Sequence, residues 1–110
     1  MEARHLVIDL DNGIRIAPGA GVIRHLDGSI DTLTPAEAQV VTLLASAGGG
    51  FITVEAFETR SDGVRAVKDH IRSLRRKIGA DAHQYVQSLR GHGYRIARCT
   101  IAYVAQLFDL

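Results

Sequence analysis

Short apolar runs separated by turn signals fill the first third of the chain. Residues 5–9 (HLVID), 14–17 (IRIA), 22–26 (VIRHL) and 30–33 (IDTL) are β-prone, and the breaks between them hold Asp11-Asn12-Gly13, Pro18-Gly19-Ala20-Gly21 and Asp27-Gly28. This pattern predicts an N-terminal antiparallel meander over residues 1–33. After Leu33 the apolar spacing becomes helical. Thr34 is placed as an N-cap, Pro35 at the first helical position and Glu37 two residues further on, the arrangement of a capping box. A helix is predicted to about Ser46, with Ala38, Val41, Leu44 and Ala45 on its apolar side and Gly48, Gly49 and Gly50 stopping it. Thr53 can cap a second, short helix running through Ala56 and Phe57 to about Thr59, and Ser61, Asp62 and Gly63 supply the next turn and cap.

The third helix has the clearest period. Val64, Val67, Ile71, Leu74 and Ile78 form one apolar stripe, which predicts a helix over 63–78 that Gly79 ends. Arg65, Lys68, Arg72, Arg75, Arg76 and Lys77 lie off that stripe. So many like charges on one helix oppose its formation, and the core contacts of the stripe must outweigh them. Residues 85–89 (YVQSL) and 94–97 (YRIA) then read as strands of a hairpin over 84–97, with Arg90-Gly91-His92-Gly93 at its tip. In the extension, residues 98–110, Ile101, Val104, Ala105 and Phe108 stand at helical spacing, although a strand or a frayed end also fits. That extension either packs back on the domain or serves dimerisation or partner docking. The fold class is α+β: an N-terminal sheet, a three-helix core over 34–79 and a C-terminal hairpin.

Composition narrows the class. At 110 residues, 46% of them hydrophobic, the chain fits a single domain, and with no Trp and few aromatics its core must rest on Val, Ile, Leu and Ala. The net charge of +1 hides an asymmetry, because residues 65–98 hold nine Lys/Arg against Asp69 and Asp81, while residues 1–64 are net acidic. A polyanionic partner at the C-terminal half follows from that distribution, with a merely solvated basic face as the alternative. Cys99 is the single cysteine, His5, His25, His83 and His92 show no metal-ligand spacing, and no apolar run approaches the roughly 20 residues of a membrane span. These features predict a cytoplasmic protein without metal or cofactor. There is no nucleophile–base pair, and the glycine run at 48–50 lacks the Lys-Ser/Thr of a phosphate loop, so an enzyme is not expected.

Two helices, a basic helix and a basic-tipped hairpin follow one another in the order of a winged helix-turn-helix. A helix packed on one side and carrying Arg/Lys on the other can lie in a DNA major groove. The segments 33–37 (LTPAE), 64–79 (VRAVKDHIRSLRRKIG) and 86–96 (VQSLRGHGYRI), taken together and in order, resemble the OmpR/PhoB-type effector domain, the DNA-binding half of many bacterial two-component response regulators. The resemblance covers residues 33–97 and implies a winged helix, here stand-alone without a receiver domain. It implies that Arg65, His70 and Arg72 meet the phosphate backbone or groove, that Arg75 follows along the same recognition helix, and that Ser88 binds phosphate. Arg90 matches a wing arginine of the minor groove, Gly91 and Gly93 match glycines that shape the wing turn, and Tyr94 matches an aromatic that anchors it.

Departures accompany the match. Ser73 stands where relatives often place a base-reading arginine, Ala66 replaces a frequent phosphate-binding threonine, and the segment after the second helix is cut to about residues 60–63. In relatives that longer loop touches RNA polymerase, so activation by this route is in doubt and a repressor-like role fits. The expected function is sequence-specific binding of double-stranded DNA, in the nucleoid, to regulate transcription, with a homodimer on DNA allowed. Specificity is assigned chiefly to Arg72, Ser73, Arg75 and Arg76, with Lys68 and Lys77 on the same helix, and His92 at the tip either tunes binding with pH or is incidental. The rival reading is a protein-interaction module that binds another regulator or RNA polymerase.

Overall fold

Asn12 and Gly13 reverse the chain between the first two strands, β1 (His5–Leu10) and β2 (Arg15–Ala17). The Asn12 side chain accepts from the Ile14 amide at 3.1 Å, and Gly13 takes a φ of +92° that a side chain would resist. The computed structural model describes residues 4–60 and 65–105. Strands β3 (Val22–Arg24) and β4 (Ile30–Thr32) continue the predicted meander. Antiparallel pairing sets Ile8 opposite Ile16 and Ile16 opposite Ile23, all three fully buried, so alternate residues of three strands build one apolar row.

That row packs on helices. Helix α1 (Pro35–Ser46) opens with the predicted capping box: the Thr34 hydroxyl accepts from the Glu37 amide at 3.1 Å, and the Thr34 amide donates to Glu37 Oε1 at 2.7 Å. Helices α2 (Val54–Arg60) and α3 (Val67–Ile78) follow. Val40, Val41 and Leu44 of α1 join Phe57 of α2 and Val67, Ile71, Leu74 and Ile78 of α3 in the core, where Ile8, Ile16 and Ile23 meet them.

Helix α3 starts later than the pattern predicts. Arg65 and Ala66 are not helical, Ala66 holds a left-handed φ of +56°, and among the described residues no side chain caps the first turn. The expected first turn at residues 63–64, with the turn and cap at 61–63 and Val64 of the stripe, lies outside the described residues. A fourth helix, the single turn α4 (Ala82–Tyr85), stands where the sequence suggested that a strand begins. Its Tyr85 is buried and donates its hydroxyl to Asp11 Oδ1 at 2.5 Å, tying α4 to the first turn of the meander.

The hairpin strands are β5 (Val86–Leu89) and β6 (Gly93–Ile96), and β6 also meets Ile52 through paired backbone hydrogen bonds with Tyr94 at 2.8 and 2.9 Å. A Cβ at Gly93 would sit 2.0 Å from the Ile52 carbonyl oxygen, so only glycine allows this approach. The helical spacing in the extension proves misleading. Residues Cys99–Val104 form strand β7, paired with β1 along its whole length from His5 opposite Val104 to Leu10 opposite Cys99. The open edge of β1 offers backbone partners to this run, and Thr100, Ile101, Tyr103 and Val104 suit a strand. The extension therefore packs back on the domain through residue 104, in a sheet ordered β4-β3-β2-β1-β7, while Phe108 lies outside the described residues.

Candidate nucleic-acid interface

The helical repeat of 100° per residue divides the basic residues of α3 into two groups. Arg72 and Arg76 stand about 130° and 170° from the centre of the apolar stripe, whereas Arg75 and Lys77 flank it at about 70° and 90° on opposite sides. The side chains follow this division. Arg72 and Arg76 are exposed, Arg72 in a loose 3.5 Å pair with Asp69, and Arg76 with its Nη2 donating to Ser73 Oγ at 3.3 Å. Lys68 is also exposed, His70 and Ser73 are half-buried, and Arg65 is exposed just before the helix.

Two residues expected at DNA, Arg75 and Lys77, have partners within the domain. Arg75 turns to the hairpin, where its Nε and Nη2 both donate to the Val86 carbonyl oxygen at 3.0 and 2.8 Å, with the guanidinium 5.9 Å from the centre of the Tyr94 ring. Burial there pulls its pKa down. Lys77 turns the other way, to Glu37 Oε1 at 2.6 Å and the Thr32 carbonyl oxygen at 2.8 Å. Glu37 is fully buried, which by itself would raise its pKa. The Lys77 ammonium, the Thr34 amide and the Ser73 hydroxyl more than offset that burial and hold the carboxyl at about 2. Arg75 therefore clamps α3 to the hairpin, and Lys77 clamps it to α1.

A cleft of about 640 Å³ between α3 and α4, with Tyr94 of β6 at its side, is lined by Lys68, Arg72, Arg75, Arg76 and His83. A second, of about 450 Å³, is lined by Thr53, Lys68, Ser88, Arg90 and Tyr94. Lys68 and Tyr94 line both, so the two clefts are neighbours. Arg90 and Ser88 are exposed at the hairpin tip, where Gly91 turns the chain with a φ of +82°. His92 rests edge-on against Phe51, 6.1 Å between ring centres, and Tyr94 packs in the same manner on Phe57 at 6.5 Å. Arg95 is used within the domain, donating to Gln87 Oε1 at 2.7 Å and lying 4.8 Å from the Phe51 ring centre. The sequence reading missed the inward-facing roles of Glu37, Arg75 and Lys77. The angular positions of Arg75 and Lys77 beside the stripe carried the signal.

Among the described residues, no helix is long and apolar enough to cross a membrane, and no group of three or more His, Cys, Asp or Glu side chains could hold a metal ion. The DNA-binding domain of E. coli CadC superposes with a TM-score of 0.68, covering 92% of this chain and 99% of that one at 19% identity, a likeness of fold. The DNA-binding domain of CpxR from E. coli superposes with a TM-score of 0.63, covering 82% of this chain and 94% of that one at 28% identity. No curated protein matches the sequence. Residues 31–96 match the family described as "Transcriptional regulatory protein, C terminal", a span from the last strand of the meander through the hairpin. Family and fold are those of a DNA-binding transcription regulator and not of an enzyme. The chain belongs to this family: it is a winged-helix DNA-binding domain of the OmpR/PhoB type.

Proposed function

We propose that the chain binds double-stranded DNA sequence-specifically, with α3 in a major groove and the hairpin as a wing whose Arg90 enters the adjacent minor groove. The observation that carries this reading is the pair of neighbouring clefts, sharing Lys68 and Tyr94, whose linings hold exposed Arg72 and Arg76 of α3 in one and exposed Ser88 and Arg90 of the hairpin in the other. A B-DNA major groove admits one α-helix, and the narrow minor groove attracts a guanidinium through its negative potential. In this reading Arg65, Lys68 and Arg72 meet phosphates, with His70 beside them, and the Ser88 hydroxyl adds a neutral phosphate contact. Arg76 and Ser73 face the bases.

The bound chain works on the nucleoid in the cytoplasm and regulates transcription there. A repressor-like role rests on the shortened segment after the second helix, about residues 60–63 of the sequence. Two copies on adjacent half-sites would lengthen the sequence that one winged domain reads.

The test is duplex affinity measured across a range of salt. Roughly four neutralised phosphates give a slope of log K against log salt of about −4, and Arg72→Ala is expected to flatten it by about 1. Weak binding that Arg72→Ala and Arg90→Ala leave unchanged would contradict the proposal and favour a protein partner, another regulator or RNA polymerase.

A further inference from the structure

Ser73 stands between two charged groups of opposite sign. On its inner side is Glu37, whose Oε1 is taken by Lys77 and by the Thr34 amide, and whose Oε2 is buried with no hydrogen-bond partner among the described residues. Ser73 lies one turn before Lys77 on the side of α3 turned to Glu37, and its hydroxyl helps to hold that carboxyl ionised. On its outer side is Arg76, whose Nη2 donates to Ser73 Oγ at 3.3 Å. A serine hydroxyl has one proton and two lone pairs. With the Arg76 N–H pointing at Oγ, the hydroxyl proton is free to turn inward, where the spare oxygen of Glu37 can accept it.

We propose that Ser73 is a positioning residue for DNA readout: its proton is directed to the buried Glu37 carboxylate, its lone pairs hold the Arg76 guanidinium, and Arg76 so held reads one guanine in the major groove. The inference rests on the DNA-binding reading above and adds to it which residue reads a base and which one aims it. A hydroxyl whose proton is used inward offers only acceptors outward, which suits a guanidinium and leaves Ser73 itself with nothing to donate to a base. Arg76 keeps its other N–H groups for the paired O6 and N7 acceptors of guanine. A long side chain fixed before binding loses less rotamer freedom on binding, a benefit of about 2- to 10-fold in affinity.

The experiment takes the site that the wild-type chain enriches from random duplex DNA and measures Kd for it and for each single base-pair substitution. The proteins compared are wild type, Ser73→Ala, Ser73→Thr, Arg76→Ala and Ser73→Ala/Arg76→Ala. Arg76→Ala is expected to abolish the preference at one G·C pair. Ser73→Ala is expected to lower the preference at that same pair about 2- to 10-fold, to leave the salt slope unchanged, and to add nothing in the Arg76→Ala background. Ser73→Thr, which keeps the hydroxyl, restores the preference. A Ser73→Ala effect that is absent, equal at every base pair, or undiminished without Arg76 overturns the proposal. A wild-type chain that enriches no site contradicts the DNA-binding reading itself.

Discussion

Replacing Lys77 by methionine separates a structural lysine from a DNA-binding one. The substitution keeps the length of the side chain and removes the ammonium that sits 2.6 Å from Glu37 Oε1. Glu37 is fully buried, and its partner's side chain is only 21% exposed, so solvent screens the pair weakly. A carboxyl held at about 2, when an ordinary glutamate titrates at 4.5, corresponds to about 3 kcal/mol of stability at neutral pH. Removing one partner of a buried pair, which leaves the other charge uncompensated, costs about 3–5 kcal/mol by comparison. Because the folded-state pKa is depressed, this stability is present above pH 4.5 and is lost as the pH falls through the range down to about 2. Lys77→Met is therefore expected to lower the unfolding free energy by about 3 kcal/mol at pH 7, or roughly 10–15 °C in Tm. It is also expected to flatten the acid limb of stability between pH 2 and 4.5. Urea titrations of both proteins from pH 2 to 7 measure the two effects together. A variant as stable as wild type that bound duplex DNA more weakly would refute the assignment and return Lys77 to the interface.

Arg75→Ala removes two hydrogen bonds from a charged donor to the Val86 carbonyl, expected to cost about 1.5–3 kcal/mol in urea unfolding; Arg75→Lys is not expected to restore it, since a lysine lacks the guanidinium fork. Gly93→Ala forces a Cβ against the Ile52 carbonyl at a φ of +100° and is expected to cost at least about 2 kcal/mol, read as a lower Tm. Arg90→Ala touches only an exposed side chain, so Tm should not move while duplex affinity falls; a lower Tm with affinity intact would contradict its place in the wing. Asp11→Asn weakens the tie to the Tyr85 hydroxyl and to Arg98 Nε, 2.9 Å away, and is expected to bring the Tyr85 phenol, now raised chiefly by Asp11, back towards its ordinary range in an ultraviolet pH titration.

Local patterns in the sequence were sufficient for much of this fold. Thr34, Pro35 and Glu37 marked the start of α1 because a capping box needs only four consecutive residues, and the stripe Val67, Ile71, Leu74 and Ile78 named the buried face of α3. The meander was legible from the turn residues between its short runs, whereas the Ile8, Ile16 and Ile23 row depends on the pairing register, which those runs do not state. What stayed hidden depends on long-range partners. Lys77 reaches a carboxylate 40 positions earlier, and Arg75 reaches a backbone carbonyl, a group that every residue carries and no sequence pattern marks. The extension misled for a different reason: over six residues, Ile101 and Val104 satisfy helical spacing as well as a strand, and the open edge of β1 decides between them. At the interface, the exposed Lys68, Arg72 and Arg76 and the tip Arg90 were legible as charge on a predicted helix and turn. The separation of Arg72 and Arg76 from the structural Arg75 and Lys77 required the angle around the helix, which charge counting ignores.

The central claim is that α3 and the wing read duplex DNA as one surface. The most direct measurement incubates the purified chain with random duplex DNA at moderate salt and sequences what is retained, for wild type, Arg76→Ala and Arg90→Ala. An enriched motif that weakens with both substitutions is the expected result, with the spacing of any repeated half-site reporting whether two copies bind together. No enrichment by the wild-type chain, or a motif that survives both substitutions unchanged, would contradict the claim.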